Sequence, residues 1–169
     1  MTITIDADAP RLLTDMPLLT SLDVEHLCDF SIDFDPIQSF PTSRGLRLNY
    51  VIRAGEVRGP RLRGEFLPGG GDWVTVDQDG IASLDVRATI RTHDGQIIYV
   101  TNTGRSHMSA EARTRLQGGA LLKWDEIFAR SSPLFETGAA DYRWLNRAVT
   151  VAVNEFSARH VNYRIYSVK

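Results

Sequence analysis

Three polar residues, Asp72, Arg87 and Asn102, are spaced so that a regular antiparallel sheet would set them side by side. Two Asp-Gly pairs supply the count. Asp79-Gly80 and Asp94-Gly95 each stand between alternating runs, and Asp-Gly suits a two-residue hairpin whose turn centres both take positive φ. Pairing across such a turn keeps a constant index sum, which brings Asp72 opposite Arg87 and Arg87 opposite Asn102. In that row Arg87 would orient an anionic or carbonyl oxygen. Asp72 would hold Arg87 or move a proton, and Asn102 would donate a hydrogen bond to developing charge. Asp85 shares this predicted face, and Trp73 falls on the opposite one. The plain alternative is a solvated cross-strand salt bridge between Asp72 and Arg87. The choice turns on whether the row faces a lumen.

A second candidate lies late in the chain. Tyr142, Trp144 and Asn146 alternate on one face of a predicted strand, and two aromatics with polar tips beside an amide suit a flat organic ligand. Ordinary core packing with the tips at a rim explains the same spacing. Glu136, in the loop just before, is an alternative acid/base at a pocket mouth. The four histidines, His26, His93, His107 and His160, share no metal-ligand spacing, so no metal site is expected. The Gly69-Gly70-Gly71 run lacks the Lys-Ser/Thr of a phosphate loop, and neither a dinucleotide fingerprint nor a G-x-S-x-G elbow occurs. The expected cofactor set is empty.

These residues need strands to place them. Leu27 to Asp35 alternates, with Cys28, Phe30, Ile32 and Phe34 facing one way. Leu46 to Arg53 and Arg61 to Leu67 read as further strands, separated by Gly55 and the Gly59-Pro60 turn. Trp73–Gln78, Ile81–Arg91 and Gln96–Asn102 form the two hairpins. Ser109 can cap a helix over Ala110 to Gln117 that Gly118-Gly119 ends. Tyr142 to Phe156 and His160 to Val168 read as the closing strands. Residues 1–20 read as a loosely ordered lead-in, and 21–169 as one domain. The sum is a mainly β protein: a single antiparallel β-barrel, lipocalin-like or a similar closed or curved sheet, with one short helix.

At 169 residues, with 43% hydrophobic residues, the chain can bury a core without staples. A net charge of −2 with no basic stripe argues against nucleic acid. No apolar run approaches a membrane span, and the single cysteine, Cys28, fits a reducing compartment, so a cytoplasmic location is expected.

Several short runs taken together are familiar. Gly59-Pro60-Arg61-Leu62-Arg63-Gly64, Leu67-Pro68-Gly69-Gly70-Gly71-Asp72-Trp73 and Leu84-Asp85-Val86-Arg87 are joined later by Phe135-Glu136-Thr137 and Tyr142-Arg143-Trp144-Leu145-Asn146. The combination resembles the family known as domain of unknown function 3237, from about Gly45 to the C-terminus. Val51, Ala54 and Gly71 depart from its pattern, where it implies proline, glycine and alanine. The resemblance implies a compact β-barrel and supplies no reaction.

The expected function is cofactor-independent acid/base chemistry at a carbonyl or enol, of isomerase, cyclase or lyase type. The substrate would be a hydrophobic or aromatic small molecule. Asp72 or Glu136 would be the acid/base, with Arg87 and Asn102 stabilising charge. Trp73, Asp85, Tyr142, Trp144 and Asn146 would shape the pocket. The alternative is a non-catalytic carrier barrel for such a molecule, and an exposed barrel wall leaves room for a homodimer.

Overall fold

Alternation along the first strand sets the pattern of the whole molecule. In the computed structural model, which describes residues 19–169, β1 (Val24–Phe34) buries Cys28, Phe30, Ile32 and Phe34. Its alternate residues Asp29, Ser31 and Asp33 face outward, as a period of two requires. The expected lead-in lies almost wholly outside the described residues. The chain continues through β2 (Gln38–Thr42), β3 (Gly45–Arg58), β4 (Arg63–Phe66), β5 (Gly71–Val76), β6 (Ala82–Thr92) and β7 (Ile97–His107). Then follow α1 (Ala110–Gln117), β8 (Phe128–Glu136), a short 3₁₀ helix (Ala140–Arg147), β9 (Thr150–Ser157) and β10 (His160–Val168).

The sheet closes on itself. Its order runs β1-β10-β9-β8-β7-β6, then β4 and β5, then β3, which pairs back to β1. Because β4 and β5 share one place between β3 and β6, the ring is a closed eight-strand antiparallel barrel. β2 lies outside the ring on β3. Closure leaves no free sheet edge within the ring itself, which removes the hazard of edge pairing.

Two expectations about local structure are corrected. The Asp-Gly turns are not two-residue hairpins. In the first, Gly80 N–H donates to Asp77 O (3.1 Å) and Asp77 N–H to Ile81 O (3.0 Å). In the second, Gly95 N–H donates to Thr92 O and Thr92 N–H to Gln96 O, both at 2.9 Å. Each loop holds three residues and ends on a glycine at φ +79° or +86°, the type I turn with a glycine bulge. Secondly, the late segment from Tyr142 is not one strand. It is the 3₁₀ helix followed by β9, so the described residues hold two short helices. The helix α1 forms where expected, with Ser109 Oγ accepting the Ala112 N–H at 3.1 Å.

One end of the lumen is solid. Leu62, Ile90, Ile98 and Leu145 are fully buried there, and the 3₁₀ helix closes it with Tyr142 and Leu145. Phe30 crosses the interior, meeting Phe66, Phe135 and Tyr163 edge to face with ring centroids 5.0–6.4 Å apart. Towards the other end, α1 and the β5–β6 and β9–β10 turns surround an unfilled space.

Candidate functional site: the open half of the lumen

The three-residue loops shift each hairpin register by one position. Asp72 therefore pairs with Val86, and Val86 with Asn102. Arg87 instead pairs with Gly71 and Thr101, and its side chain turns to the outer wall. The row expected from the sequence does not form: Asp72 and Asn102 face inward and Arg87 faces solvent. There Arg87 Nε lies 3.4 Å from Asp85 Oδ1, an exposed ion pair worth little.

The inward row reads Tyr50, Asp72, Val86, Asn102 and Pro133 across five neighbouring strands. Asp72 is 7% exposed and Asn102 4%. Above them opens a cavity of about 400 Å³ with walls from Leu48, Val74, Leu84 and Phe156. Asp72, Tyr50, Tyr163, Asn154 and Ser106 are the polar side chains of its inner part, and Arg113 and Gln117 of α1 stand in its lining as well. Volume and mixture both suit a small organic ligand.

Asp72 is the one acidic side chain lining this space among the described residues. Its Oδ1 accepts the Asp85 backbone N–H at 3.0 Å, and Oδ2 has no hydrogen-bond partner among the described residues. Burial raises its pKa to about 7; the Asp85 N–H opposes that rise, and the Asp85 charge adds to it. Burial, with the Asp72 charge second, pushes Tyr50 up to about 12 and raises Tyr163 as well. Both phenols therefore stay protonated and remain donors. Four inward-facing oxygens, Asn102 Oδ1, Ser106 Oγ, Ser131 Oγ and Asn154 Oδ1, are buried without a protein partner. Of these, Ser106 and Asn154 line the cavity, and Asn102 and Ser131 lie on the inner wall outside its lining.

The other residues expected at a site lie elsewhere. Trp73 alternates with Asp72 and faces outward, where its carbonyl accepts Arg47 Nη1 at 2.7 Å. Glu136 is exposed at the end of β8. Tyr142 Oη donates to Asp94 Oδ1 (3.0 Å) beneath the closed end. Trp144 lies under the Arg61 guanidinium, 3.8 Å from its ring centre. Asn146 clamps Thr137, accepting its N–H at 2.8 Å and donating to its carbonyl at 2.9 Å. These three brace the 3₁₀ helix against the barrel floor and do not reach the cavity.

Tyr50, Tyr163, Asn154 and Ser106 went unnoticed in the sequence. Each sits at an alternating strand position, which is the only signal it carried. A cluster on the outer wall has the residue types of a nucleophilic triad. His160 Nδ1 is 2.7 Å from Asp33 Oδ1, and its Nε2 is 3.4 Å from Ser31 Oγ. That Nε2 is closer to Asn162 Oδ1, at 2.8 Å, and the amide's other end donates to Glu155, which fixes its orientation. The Ser31 hydroxyl is thus the more distant of the two partners of Nε2, on an exposed wall outside the lumen, and lacks the close base contact that an activated nucleophile needs.

Comparison with known proteins bears on the same chain. The family model described as "Protein of unknown function (DUF3237)" matches residues 22–168. The UPF0311 protein blr7842 of Bradyrhizobium diazoefficiens is 33% identical over 134 residues, which is 79% of this chain and 86% of that protein. The UPF0311 protein RPA1785 of Rhodopseudomonas palustris is 31% identical over 124 residues, 73% of this chain and 79% of its own. Its crystal structure superposes with a TM-score of 0.84, covering 89% of this chain and all of that one. A β-barrel-like protein of Acinetobacter baumannii AYE gives 0.75 at 31% identity, covering 91% and 100%. An enzyme from Penicillium herquei gives 0.68 at 18% identity, covering 91% and 99%, a likeness of fold alone.

Proposed function

The chain belongs to the DUF3237 family, and we propose that it is a small-molecule enzyme whose acid/base residue is Asp72, acting at a carbonyl or enol inside the barrel. The single observation that carries this reading is the placement of Asp72: a buried carboxyl with one oxygen unpartnered, facing an apolar cavity of about 400 Å³. A carboxyl whose pKa lies about 7 holds and releases a proton at neutral pH, which is the property a general acid/base requires.

In the reaction this supports, the Asp72 carboxylate takes a proton from the carbon next to a carbonyl. The C–H electron pair becomes a C=C bond, and the carbonyl π pair moves to oxygen. A neutral Tyr50 or Tyr163 hydroxyl, both in the cavity lining, donates to that oxygen. Where a second C=C is conjugated with the enol, returning the proton from Asp72 to its far carbon gives isomerisation; where the Asp72 proton first swaps with solvent, its return to the same carbon gives hydrogen exchange. A positioned base contributes about 10²–10⁴-fold, and an oxyanion donor about 10²–10³-fold.

The carrier reading is favoured by Ser106 Oγ and Asn154 Oδ1, unpartnered oxygens of the cavity lining that would bind a polar ligand without reacting with it. One experiment separates the two. Aryl ketones are incubated with the protein in deuterated buffer, and loss of the α-proton signal is followed by NMR. Catalysed exchange that falls at least ~10²-fold in Asp72→Asn, with ketone binding retained, supports the enzyme. Binding without exchange in the wild type selects the carrier.

A further inference from the structure

The cavity is polar at two separated places. Deep in the barrel lie Asp72, Tyr50, Tyr163 and Asn154. At the mouth stands Arg113 of α1, beside Gly80 of the β5–β6 turn. Its Nη2 would be 2.8 Å from a Cβ at Gly80, so the guanidinium lies directly over the turn that rims the opening. The neighbouring Arg115 is engaged by Glu126, at 2.5 Å. Arg113 has no carboxylate within ion-pair distance among the described residues. The turn beneath it carries two carboxylates: Asp79, which directly precedes Gly80, and Asp77, which spends its Oδ1 on the N–H groups of Asp79 and Ile81. Between the two poles the wall is apolar: Val74, Val76, Leu84, Leu116 and Phe156. Asp72 and Val76 both face inward on β5, and four strand steps of about 3.3 Å set Val76, next to the turn that Arg113 overlies, roughly 13 Å from Asp72.

From this spacing we infer that the lumen takes a rod-like, aromatic-sized molecule with a hydroxyl or carbonyl at its deep end and an anionic group at the other. Arg113 reads the anion and so sets specificity. The inference rests on the lumen being the binding site, as proposed above, and adds the charge and length of its ligand. Arg113 is exposed and touches no reacting atom, so its part is to select and orient. A guanidinium suits that part, because its planar fork meets a carboxylate with two hydrogen bonds.

The test uses the full chain and three probes: biphenyl with a para-hydroxyl at one end and a para-carboxylate at the other, the hydroxybiphenyl without the carboxylate, and the carboxylate without the hydroxyl. Affinities are measured by calorimetry at low salt and again at high salt. The doubly substituted rod is expected to bind about fivefold to tenfold more tightly than hydroxybiphenyl, with the advantage shrinking at high salt. In Arg113→Gln that advantage should vanish while the affinity for hydroxybiphenyl stays unchanged. Equal binding of the two hydroxylated probes to the wild type overturns the inference. So does an advantage that survives in Arg113→Gln, which would leave Arg113 serving only the acidic turn. Failure of all three probes to bind would instead remove the lumen as a binding site, and the proposed function with it.

Discussion

Ionised Asp72 would be a charge set among Tyr50, Val74 and Val86 with a single backbone N–H to stabilise it, so burial keeps the proton on. The sign for stability follows. The folded state binds this proton up to a pH of about 7, and the unfolded chain releases it near its ordinary value of 3.8. Asp72 is therefore fully favourable below about 4, and its contribution is lost as pH rises through about 7, a few kcal/mol in all. Asp29 and Asp33 act in the opposite sense and lower down. Hydrogen bonds from Arg164 and from His160, respectively, hold them below the usual carboxylate range, so their contribution is lost as the solution becomes more acidic still. Denaturant titrations at several pH values should thus show Asp72→Asn flattening the fall in stability between pH ~4 and ~7. An unchanged slope in the variant would mean that Asp72 ionises normally in the barrel. Asp72 and Asn102 were legible in the sequence because a polar residue at an alternating position is easily noticed. Arg87 was misplaced because the argument depended on a count that one bulge residue reverses.

The hairpins show why that count failed. Asp-Gly serves both a two-residue turn and a three-residue loop that ends on a bulged glycine. What decides between them is the residue opening the loop. Asp77 Oδ1 accepts two backbone N–H groups, and Thr92 Oγ accepts the Gln96 N–H at 2.8 Å, so each braces the wider loop. A polar side chain three places before the glycine was the overlooked sign. Gly95 stands at φ +86° with open space around it, so Gly95→Ala should cost about 1–2 kcal/mol through backbone strain alone, read from the denaturation midpoint. The 3₁₀ helix misled in another way. Tyr142, Trp144 and Asn146 alternate in sequence, yet their partners are the Asp94 carboxylate, the Arg61 guanidinium and the Thr137 backbone. Asn146→Ala should lose about 1–3 kcal/mol of stability, by leaving the buried Thr137 N–H and carbonyl without partners, and should leave ligand affinity unchanged. Weakened binding without destabilisation would return Asn146 to the site.

Over the whole molecule, closure follows from the apolar faces. Strands that alternate throughout bury their inner faces by wrapping around or by stacking as two sheets; here they wrap, and Phe30 at the centre ties β1 to rings from β4, β8 and β10. The barrel was therefore legible from period and turn spacing, whereas its order was not. Nothing in the sequence says that β1 pairs with both β10 and β3, or that β4 and β5 share one place, because those contacts are remote along the chain. Phe30→Ala should cost about 3–5 kcal/mol. Arg164→Gln, which removes the exposed pair with Asp29 across the β1–β10 seam, should cost under about 1 kcal/mol. Comparable losses from the two would mean that surface charge, not core packing, holds the seam. The half-filled lumen leaves Asp72 buried beside a cavity. The most direct measurement of that arrangement is the NMR titration of the Asp72 carboxyl carbon, assigned by its absence in Asp72→Asn. A midpoint of about 7, shifting when an apolar probe fills the cavity, is the predicted result. A midpoint at the ordinary carboxylate value of 3.8, unmoved by any probe, would contradict it.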